Sequence, residues 1–217
     1  MLARSLGRTQ RWHSTTVGVV ALALALAGAV SCGQQNTVGR SPSYLVIDAL
    51  KGASGVKPDT FGGSVESDVV TIVKVQVGGQ QVFQPTIYED MGQVTLRMAL
   101  KDVSVTGPTS ANLITVTRYH VEFKRTDGRN TQGVDVPYAF DGAATGTFDA
   151  SGGAMTFVLV RAQAKLEAPL KALRNGGSAI VISTIADITF YGQDQNGNQV
   201  SVTGSISVNF ADWGDPA

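Results

Sequence analysis

Three oxygen-bearing side chains, Asp194, Asn196 and Asn198, lie at alternate positions in one short polar segment. Carboxylate and amide oxygens are the ligands that Ca²⁺ prefers. An EF-hand loop has glycine at its sixth position and a distal glutamate, whereas here Gly197 is fourth from Asp194 and no glutamate follows. Asn196-Gly197 is also the strongest short-range signal for a β-hairpin turn. We therefore predict a hairpin turn and no resident metal, with these three residues as the alternative calcium ligands.

Paired carboxylates are the other acidic feature, because glycosidic cleavage uses two acids that face one substrate. Glu89 and Asp90 are adjacent, and adjacent side chains on an extended chain point to opposite sides. Asp127, Asp135 and Asp141 fall in loops around one weak predicted strand, where turn formation is the expected role of each. An envelope hydrolase or a cation site that uses these loop carboxylates is the alternative.

His120 is the only histidine beyond residue 32, and no cysteine follows Cys32, so a Cys/His zinc site is excluded. By alternation His120 lies on the polar face of a long strand, where a solvated side chain is expected. The sequence contains no G-x-S-x-G and no G-x-x-x-x-G-K-[ST]. These features predict no enzyme and no cofactor.

Cys32 is the single cysteine, and the residues before it have the layout of an export signal. Arg4, Arg8 and Arg11 precede an apolar run over residues 17–27, and small side chains lead into the cysteine. The run is too short to cross a bilayer as a helix, which takes about 20 residues. We therefore predict a cleaved signal peptide over residues 1–31.

Residues 1–33 resemble a bacterial lipoprotein signal, although leucine is usual in that family where this chain has Ala29. The resemblance implies that Cys32 carries a diacylglyceryl thioether and an acylated amino group. An exported cysteine without a disulfide partner needs an explanation, and lipid attachment supplies one. In that family an aspartate after the cysteine retains the product at the inner membrane. Gly33 therefore implies the outer membrane, facing the periplasm or the exterior. An ordinary signal peptide with a free Cys32 thiol is the alternative.

The remaining composition favours a strand-rich fold and excludes nucleic-acid binding. Removing residues 1–31 removes three of 17 basic residues and none of 17 acidic residues, which leaves a formal charge of −3. No basic patch stands out, and phosphate contacts need clustered Lys and Arg. Charged residues are 16% of the chain, below the usual value of about 25%, while Gly, Ser, Thr and Val are abundant.

Alternating apolar residues and turn signals predict a β domain over residues 44–211, preceded by a lipidated, flexible tether (32–43) and followed by a loosely held tail (212–217). Residues 56–67 are predicted as a loop and residues 165–174 as a two-turn helix that crosses between strands. Pro85 and Pro137 make their strands edge strands. The predicted strands cover residues 44–50, 69–77, 82–88, 94–100, 113–124, 134–140, 144–148, 155–160, 179–191 and 199–210.

This pattern predicts an all-β, antiparallel sandwich with one short crossover helix. A closed barrel or two small β domains are the alternatives. Residues 113–210 resemble a bacterial immunoglobulin-like or fibronectin-type-III-like sandwich, and the missing Cys pair and Trp exclude the antibody subtype.

The lipid anchor, together with the lack of catalytic motifs, leads us to expect a non-catalytic protein of the cell envelope. It would have an adhesion or assembly role, with the membrane and a protein or polysaccharide as its partners. A carbohydrate or small-ligand binder is the alternative, for which only two of five tyrosines in the β domain, Tyr138 and Tyr191, are close to predicted loops.

Overall fold

Ten β-strands and one short α-helix form most of residues 38–102, 107–176 and 180–213, the part of the chain that the computed structural model describes. Cys32 and the predicted signal peptide lie outside these residues. Two 3-10 turns, at Ser110–Asn112 and Leu170–Leu173, complete the regular structure. The strands are β1 (Ser43–Ala53), β2 (Ser64–Asp68), β3 (Thr71–Val77), β4 (Gln80–Thr86), β5 (Asp90–Leu100), β6 (Ile114–Lys124), β7 (Phe140–Phe148), β8 (Gly153–Val160), β9 (Ile182–Asp194) and β10 (Gln199–Ala211), and the helix is α1 (Ala162–Leu166).

Two sheets pack face to face, which confirms the predicted sandwich. One sheet has the order β1-β5-β8 and the other has the order β2-β10-β9-β6-β7. Neighbouring strands are antiparallel except β2 and β10, which run parallel, so the prediction of a wholly antiparallel fold was wrong at this edge. β3 and β4 pair only with each other in the described structure.

Aromatic side chains fill the space between the sheets. The ring of Tyr119 on β6 lies 5.1 Å from that of Phe157 on β8, and Phe157 lies 5.3 Å from Phe190 on β9. The Val158 N–H of one sheet donates to the Tyr119 hydroxyl of the other at 3.1 Å. The sequence placed Tyr119, Val121 and Phe123 on one face of this strand, and all three are buried.

The hairpin predicted near the C-terminus is confirmed. β9 and β10 pair from Gln199↔Gln193 to Phe210↔Ile182. Gly197 in the connecting turn has a φ of +81°, a conformation that favours glycine.

Near the N-terminus, β1 and β2 differ from the prediction. β1 continues to Ala53 through Gly52, where a Cβ atom would lie 2.3 Å from Val65 of β2. Gly52 therefore permits close approach of β1 and β2, and β1 continues beyond residue 50, where the predicted strand ended. β2 lies mostly in the segment that was wrongly predicted as a loop, because it forms by pairing with the distant β10. Residues 39–43 of the predicted tether are held against β5, where the Lys101 N–H donates to the Pro42 carbonyl at 2.8 Å.

Two elements that contain proline were also predicted incorrectly. Residues 134–139 form a loop, not an edge strand, since the Gly133 N–H donates to the Val136 carbonyl in a local turn. The predicted two-turn helix is instead α1 followed by a 3-10 turn. Pro169 stands between them and has no N–H to continue the α-helical hydrogen bonding. Leu170 and Leu173 are nevertheless buried, whereas Leu166 is exposed.

Candidate functional site

β3 and β4 form a two-stranded ribbon, referred to below as the β3–β4 ribbon. The strands pair from Thr71↔Thr86 to Val77↔Gln80 around Gly78-Gly79, a pair of residues that by itself predicts a turn. Both glycines have positive φ, +60° and +85°, as a type I′ hairpin turn requires. The strands and their turn were therefore predicted correctly.

The alternation of apolar and polar residues in the second half of β3 predicts one buried face, but the structure shows both faces of the ribbon largely exposed. Val77 is 61% exposed, Val82 45% and Phe83 64%. In β3 only Thr71, at the base of the ribbon, is buried. An isolated two-stranded hairpin is at best marginally stable in water, and this ribbon leaves several apolar side chains open to solvent.

Specific hydrogen bonds fix the base of the ribbon to the sandwich. Asp68 accepts from the Thr71 hydroxyl at 2.5 Å and from the Trp213 N–H at 3.1 Å. The neighbouring Val69 N–H donates to the Ala211 carbonyl at the end of β10. The ribbon therefore starts from a defined point at the sheet edge.

That point lies at the end of the sandwich opposite Ser43, the first residue of β1. Ala53 pairs with Met91 near the start of β5, the strand that follows the ribbon in the chain. Ser43 pairs with Leu100 at the other end of the same pair of strands. A strand of this length spans about 35 Å. The base of the ribbon and Ser43 therefore lie at opposite ends of the domain.

The two outer edges of the ribbon are not equivalent. A two-residue turn makes Val77 and Gln80 a hydrogen-bonded pair, and such pairs then alternate along the ladder. The backbone groups of Lys74 and Gln76 therefore point away from β4. On the other strand Pro85 lies at an outward-pointing position, where it removes an N–H that a further strand would need.

A buried ion pair connects the start of β5 to α1. Lys165 Nζ donates to Asp90 Oδ1 at 3.0 Å, and neither side chain is accessible to solvent. The Gly55 N–H donates to the same oxygen at 2.8 Å. Burial raises the pKa of Asp90, and the charge of Lys165 opposes this increase, as do the Ser67 hydroxyl and the Gly55 N–H.

The sequence did not indicate this pair, because its members are 75 residues apart. A lysine between Ala164 and Leu166 in a predicted helix gives no local sign of burial. The adjacent acids Glu89 and Asp90 point to opposite sides of the chain, as predicted, since Glu89 is exposed and Asp90 is buried. They do not face one substrate together.

The alternative calcium ligands form a closed turn. Asp194 Oδ1 accepts from the N–H groups of Asn196 and Asn198, each at 2.9 Å, and its Oδ2 accepts from the Asn198 side-chain amide at 2.9 Å. Burial raises the pKa of Asp194, but hydrogen bonds from Asn198, Ser41 and Asn196 bring it below its ordinary value. These donors face the oxygens that a cation would need, so the geometry favours the predicted turn.

The loop acids each have separate partners. Asp127 lies 2.6 Å from the Arg125 guanidinium, whose hydrogen bond lowers the pKa of the acid. Asp135 accepts from the Thr131 N–H at 3.2 Å in its own loop. Within the described ranges, no three His, Cys, Asp or Glu side chains come together as possible metal ligands.

His120 lies on the outer face of the five-stranded sheet, as predicted, and its side chain is 33% exposed. Its Nδ1 is 3.1 Å from Asp141 Oδ1. The neighbouring Arg118 guanidinium lies 3.4 Å from the same carboxylate and stacks 3.7 Å from the centre of the Tyr191 ring. These contacts join charged and aromatic side chains into one ordered polar surface.

The tyrosines that suggested a sugar-binding platform are on different elements. Tyr44 is in β1, Tyr88 lies between β4 and β5, and Tyr138 is in the loop before β7. Tyr119 belongs to the core, and one face of Tyr191 is covered by Arg118.

Comparison with known proteins gives no relative from which a role can be transferred: no family model matches the sequence, and no curated protein matches it significantly. None of the helices in residues 38–102, 107–176 and 180–213 has both the length and the hydrophobicity that a membrane crossing needs.

Proposed function

We propose that this chain is a lipid-anchored protein of the bacterial envelope that binds a partner without catalysis, in an adhesion or assembly role. The observation that carries the proposal is the exposed β3–β4 ribbon, with Val77, Val82 and Phe83 open to solvent. Val77 and Val82 lie on one face of the ribbon and Phe83 lies on the other. Exposed apolar surface is costly to leave in water and commonly marks a site of protein association. A sheet edge adds main-chain hydrogen bonds to such a contact.

The proposal includes an immunoglobulin-like class for the sandwich. In that class one sheet contains strands A, B and E, and the other contains C, F and G, extended by C′ in variable-type domains. The order β1-β5-β8 matches A-B-E, and the order β10-β9-β6-β7 matches G-F-C-C′. On this assignment the ribbon is an insertion before strand B. The parallel β2 strand is an additional edge beside strand G.

The proposed anchor is Cys32, through lipid attached to its sulfur. The support is the layout of residues 1–33 and the lack of a second cysteine. Two or three acyl chains give stable membrane attachment, whereas one chain alone is marginal. Because the ribbon starts at the end of the domain opposite Ser43, an anchored chain would present it away from its own tether.

Substitution of Cys32 by serine tests the anchor. We expect the unsubstituted chain in the membrane fraction, with an intact mass that includes acyl chains. The Cys32→Ser chain should lose these additions and leave the membrane fraction, because the sulfur is the attachment point. Ser31→Ala, which keeps a small side chain at the neighbouring position, should behave like the unsubstituted chain. An unmodified thiol on soluble unsubstituted protein would contradict the proposal.

Charges placed on the ribbon test the binding surface. The double substitution Val82→Asp/Phe83→Asp should weaken partner binding by at least about 30-fold, the size of a hot-spot loss of roughly 2 kcal/mol. The physical reason is that two carboxylates would have to be desolvated in an apolar contact. Formaldehyde cross-linking in intact cells, followed by electrophoresis of the tagged chain, measures the loss of the cross-linked species.

A matched control is Val134→Asp, since Val134 is 67% exposed and lies in a loop outside the ribbon. It should leave the cross-linked species unchanged. Equal losses from the ribbon and the control variants, with the fold intact by circular dichroism, would show that the ribbon is not the binding surface.

A further inference from the structure

Over residues 73–77 the outer edge of β3 pairs with no other strand of the described residues, and its sequence is compatible with pairing to itself. We infer that this edge pairs, antiparallel, with the β3 edge of a second copy of the chain, so that two ribbons form one four-stranded sheet about a two-fold axis. The inference rests on the proposed function and identifies the partner as another molecule of the same protein.

The two edges of the ribbon differ in how well they are protected from such pairing. Natural proteins protect sheet edges with proline, with charges and with short strands. β4 has Pro85 at an outward-pointing position, whereas β3 has no proline and carries one charged residue, Lys74. Lys74 and Gln76 both direct backbone N–H and C=O groups outward from β3. β3 is therefore the edge that can accept another strand.

One register of the two β3 strands brings like residues together without charge repulsion. It places Val75 opposite Val75 of the second copy and Val73 opposite Val77, so that three valine pairs form on one face. Cross-strand pairs of β-branched residues stabilise a sheet. The outward-pointing backbone groups of Lys74 then bond to those of Gln76 in the other copy. Of the two adjacent permitted registers, one places Lys74 opposite Lys74, which is unfavourable. The other places Gln76 opposite Gln76 and forms two valine pairs instead of three.

The antiparallel arrangement also keeps the two sandwiches apart. Each ribbon has its base at Thr71 and its tip at Gly78-Gly79. In the register above, the base of one ribbon lies near the tip of the other. The two sandwich bodies are therefore at opposite ends of the four-stranded sheet.

The charge of the ribbon favours this partner over a strongly charged one. Residues 69–88 contain no acidic residue, and Lys74 is their only basic residue. Its ammonium group already lies 5.9 Å from the centre of the Phe83 ring. An uncharged strand rich in β-branched residues is the chemistry that fits this edge, and β3 itself has that chemistry.

The expected dimer is weak in dilute solution. Pairing over residues 73–77 buries less than the roughly 1,200 Å² of a standard stable interface. Attachment of both copies to membrane surfaces would raise their effective concentration and favour pairing without any further contact. The test is therefore made on the full chain in its native envelope.

Single cysteines report the register directly. In a non-hydrogen-bonded antiparallel pair the Cα atoms are about 4.5 Å apart, within the range of about 4.4–6.8 Å that a disulfide accepts. Val75→Cys should therefore give a disulfide-linked dimer under mild oxidation in intact cells. A mixture of Val73→Cys and Val77→Cys chains should cross-link as well. Val73→Cys alone should not, because the two sulfur-bearing residues would be about 13 Å apart along the strands.

Three controls accompany these variants. The unsubstituted chain shows any cross-linking that occurs through Cys32. Gln81→Cys places a thiol on β4, away from the proposed contact. Gln76→Pro, added to Val75→Cys, removes an outward N–H and leaves the hydrogen bonds within the ribbon intact. It should weaken pairing by about 30-fold, the effect of losing two symmetry-related backbone hydrogen bonds.

The outcomes separate this inference from the proposed function. Cross-linking at Val75 that is lost with Gln76→Pro supports the self-paired edge. Equal cross-linking of Val75→Cys and Gln81→Cys, or none from any β3 cysteine on folded protein, overturns it. If the aspartate variants of the ribbon abolish a cross-linked complex while Val75→Cys forms no dimer, the ribbon binds a different protein. In that case the proposed function stands and this inference fails.

Discussion

Replacement of Lys165 by methionine is expected to lower the free energy of unfolding by about 3–5 kcal/mol at neutral pH, since it leaves the Asp90 carboxylate buried without its countercharge. Both side chains are inaccessible to solvent, and without Lys165 the carboxylate keeps only neutral neighbours, the Gly55 N–H and the Ser67 hydroxyl. Urea unfolding of the folded domain, followed by circular dichroism, measures the change.

The size of this loss should depend on pH. Burial raises the pKa of Asp90 above its ordinary value of 3.8, so the folded chain binds this proton more readily than the unfolded chain does. The contribution of Asp90 to stability is therefore fully present below pH 3.8 and is lost as the pH rises through the raised native pKa. Removal of the Lys165 charge raises that pKa further. The difference between the two proteins should consequently be smallest in acid and grow as the pH rises.

Lys171→Met is the matched control, because Lys171 lies on the adjacent 3-10 turn and is exposed. It should change stability by about 0.5 kcal/mol or less. The double variant Asp90→Asn/Lys165→Met, which removes both charges, should be more stable than Lys165→Met alone. A Lys165→Met chain with unchanged stability between pH 4 and pH 8 would contradict the assigned role of the pair.

Replacement of Phe190 by alanine should cost about 3–5 kcal/mol, the usual range for a large buried aromatic side chain. Phe190 is inaccessible to solvent, and its ring packs against Phe157 of the opposite sheet and near Tyr119 on β6. The substitution leaves a cavity where the two sheets meet. Urea or thermal unfolding of the full domain measures the loss.

The same substitution on the ribbon provides the comparison. Phe83→Ala removes a ring that is 64% exposed, so its stability should change by about 1 kcal/mol or less. If the ribbon is a binding surface, Phe83→Ala should reduce cross-linking while leaving the stability of the fold nearly unchanged. Phe190→Ala should lower the stability but leave cross-linking unchanged at temperatures where the chain remains folded. Equal destabilisation by both substitutions would mean that Phe83 has a structural role.

Several elements could be predicted because their signals are local. Asn196-Gly197 indicates its own turn, and the alternation of Tyr119, Val121 and Phe123 identifies the buried face of β6. The Gly78-Gly79 turn predicts the ribbon in the same way. Local signals fail for β2, whose few residues form a strand only because they pair with β10, more than 100 positions later.

The sequence by itself determined that the chain is mostly β, where its main hairpins turn, and which strand faces are apolar. It also supplied the layout of residues 1–33, on which the proposed lipid anchor depends. Only the tertiary structure decided that Asp90 meets Lys165 and that nothing in the described part of the domain covers the tip of the β3–β4 ribbon. The physical reason is that periodicity shows which side of a strand is apolar, whereas burial depends on what the rest of the chain brings against that side.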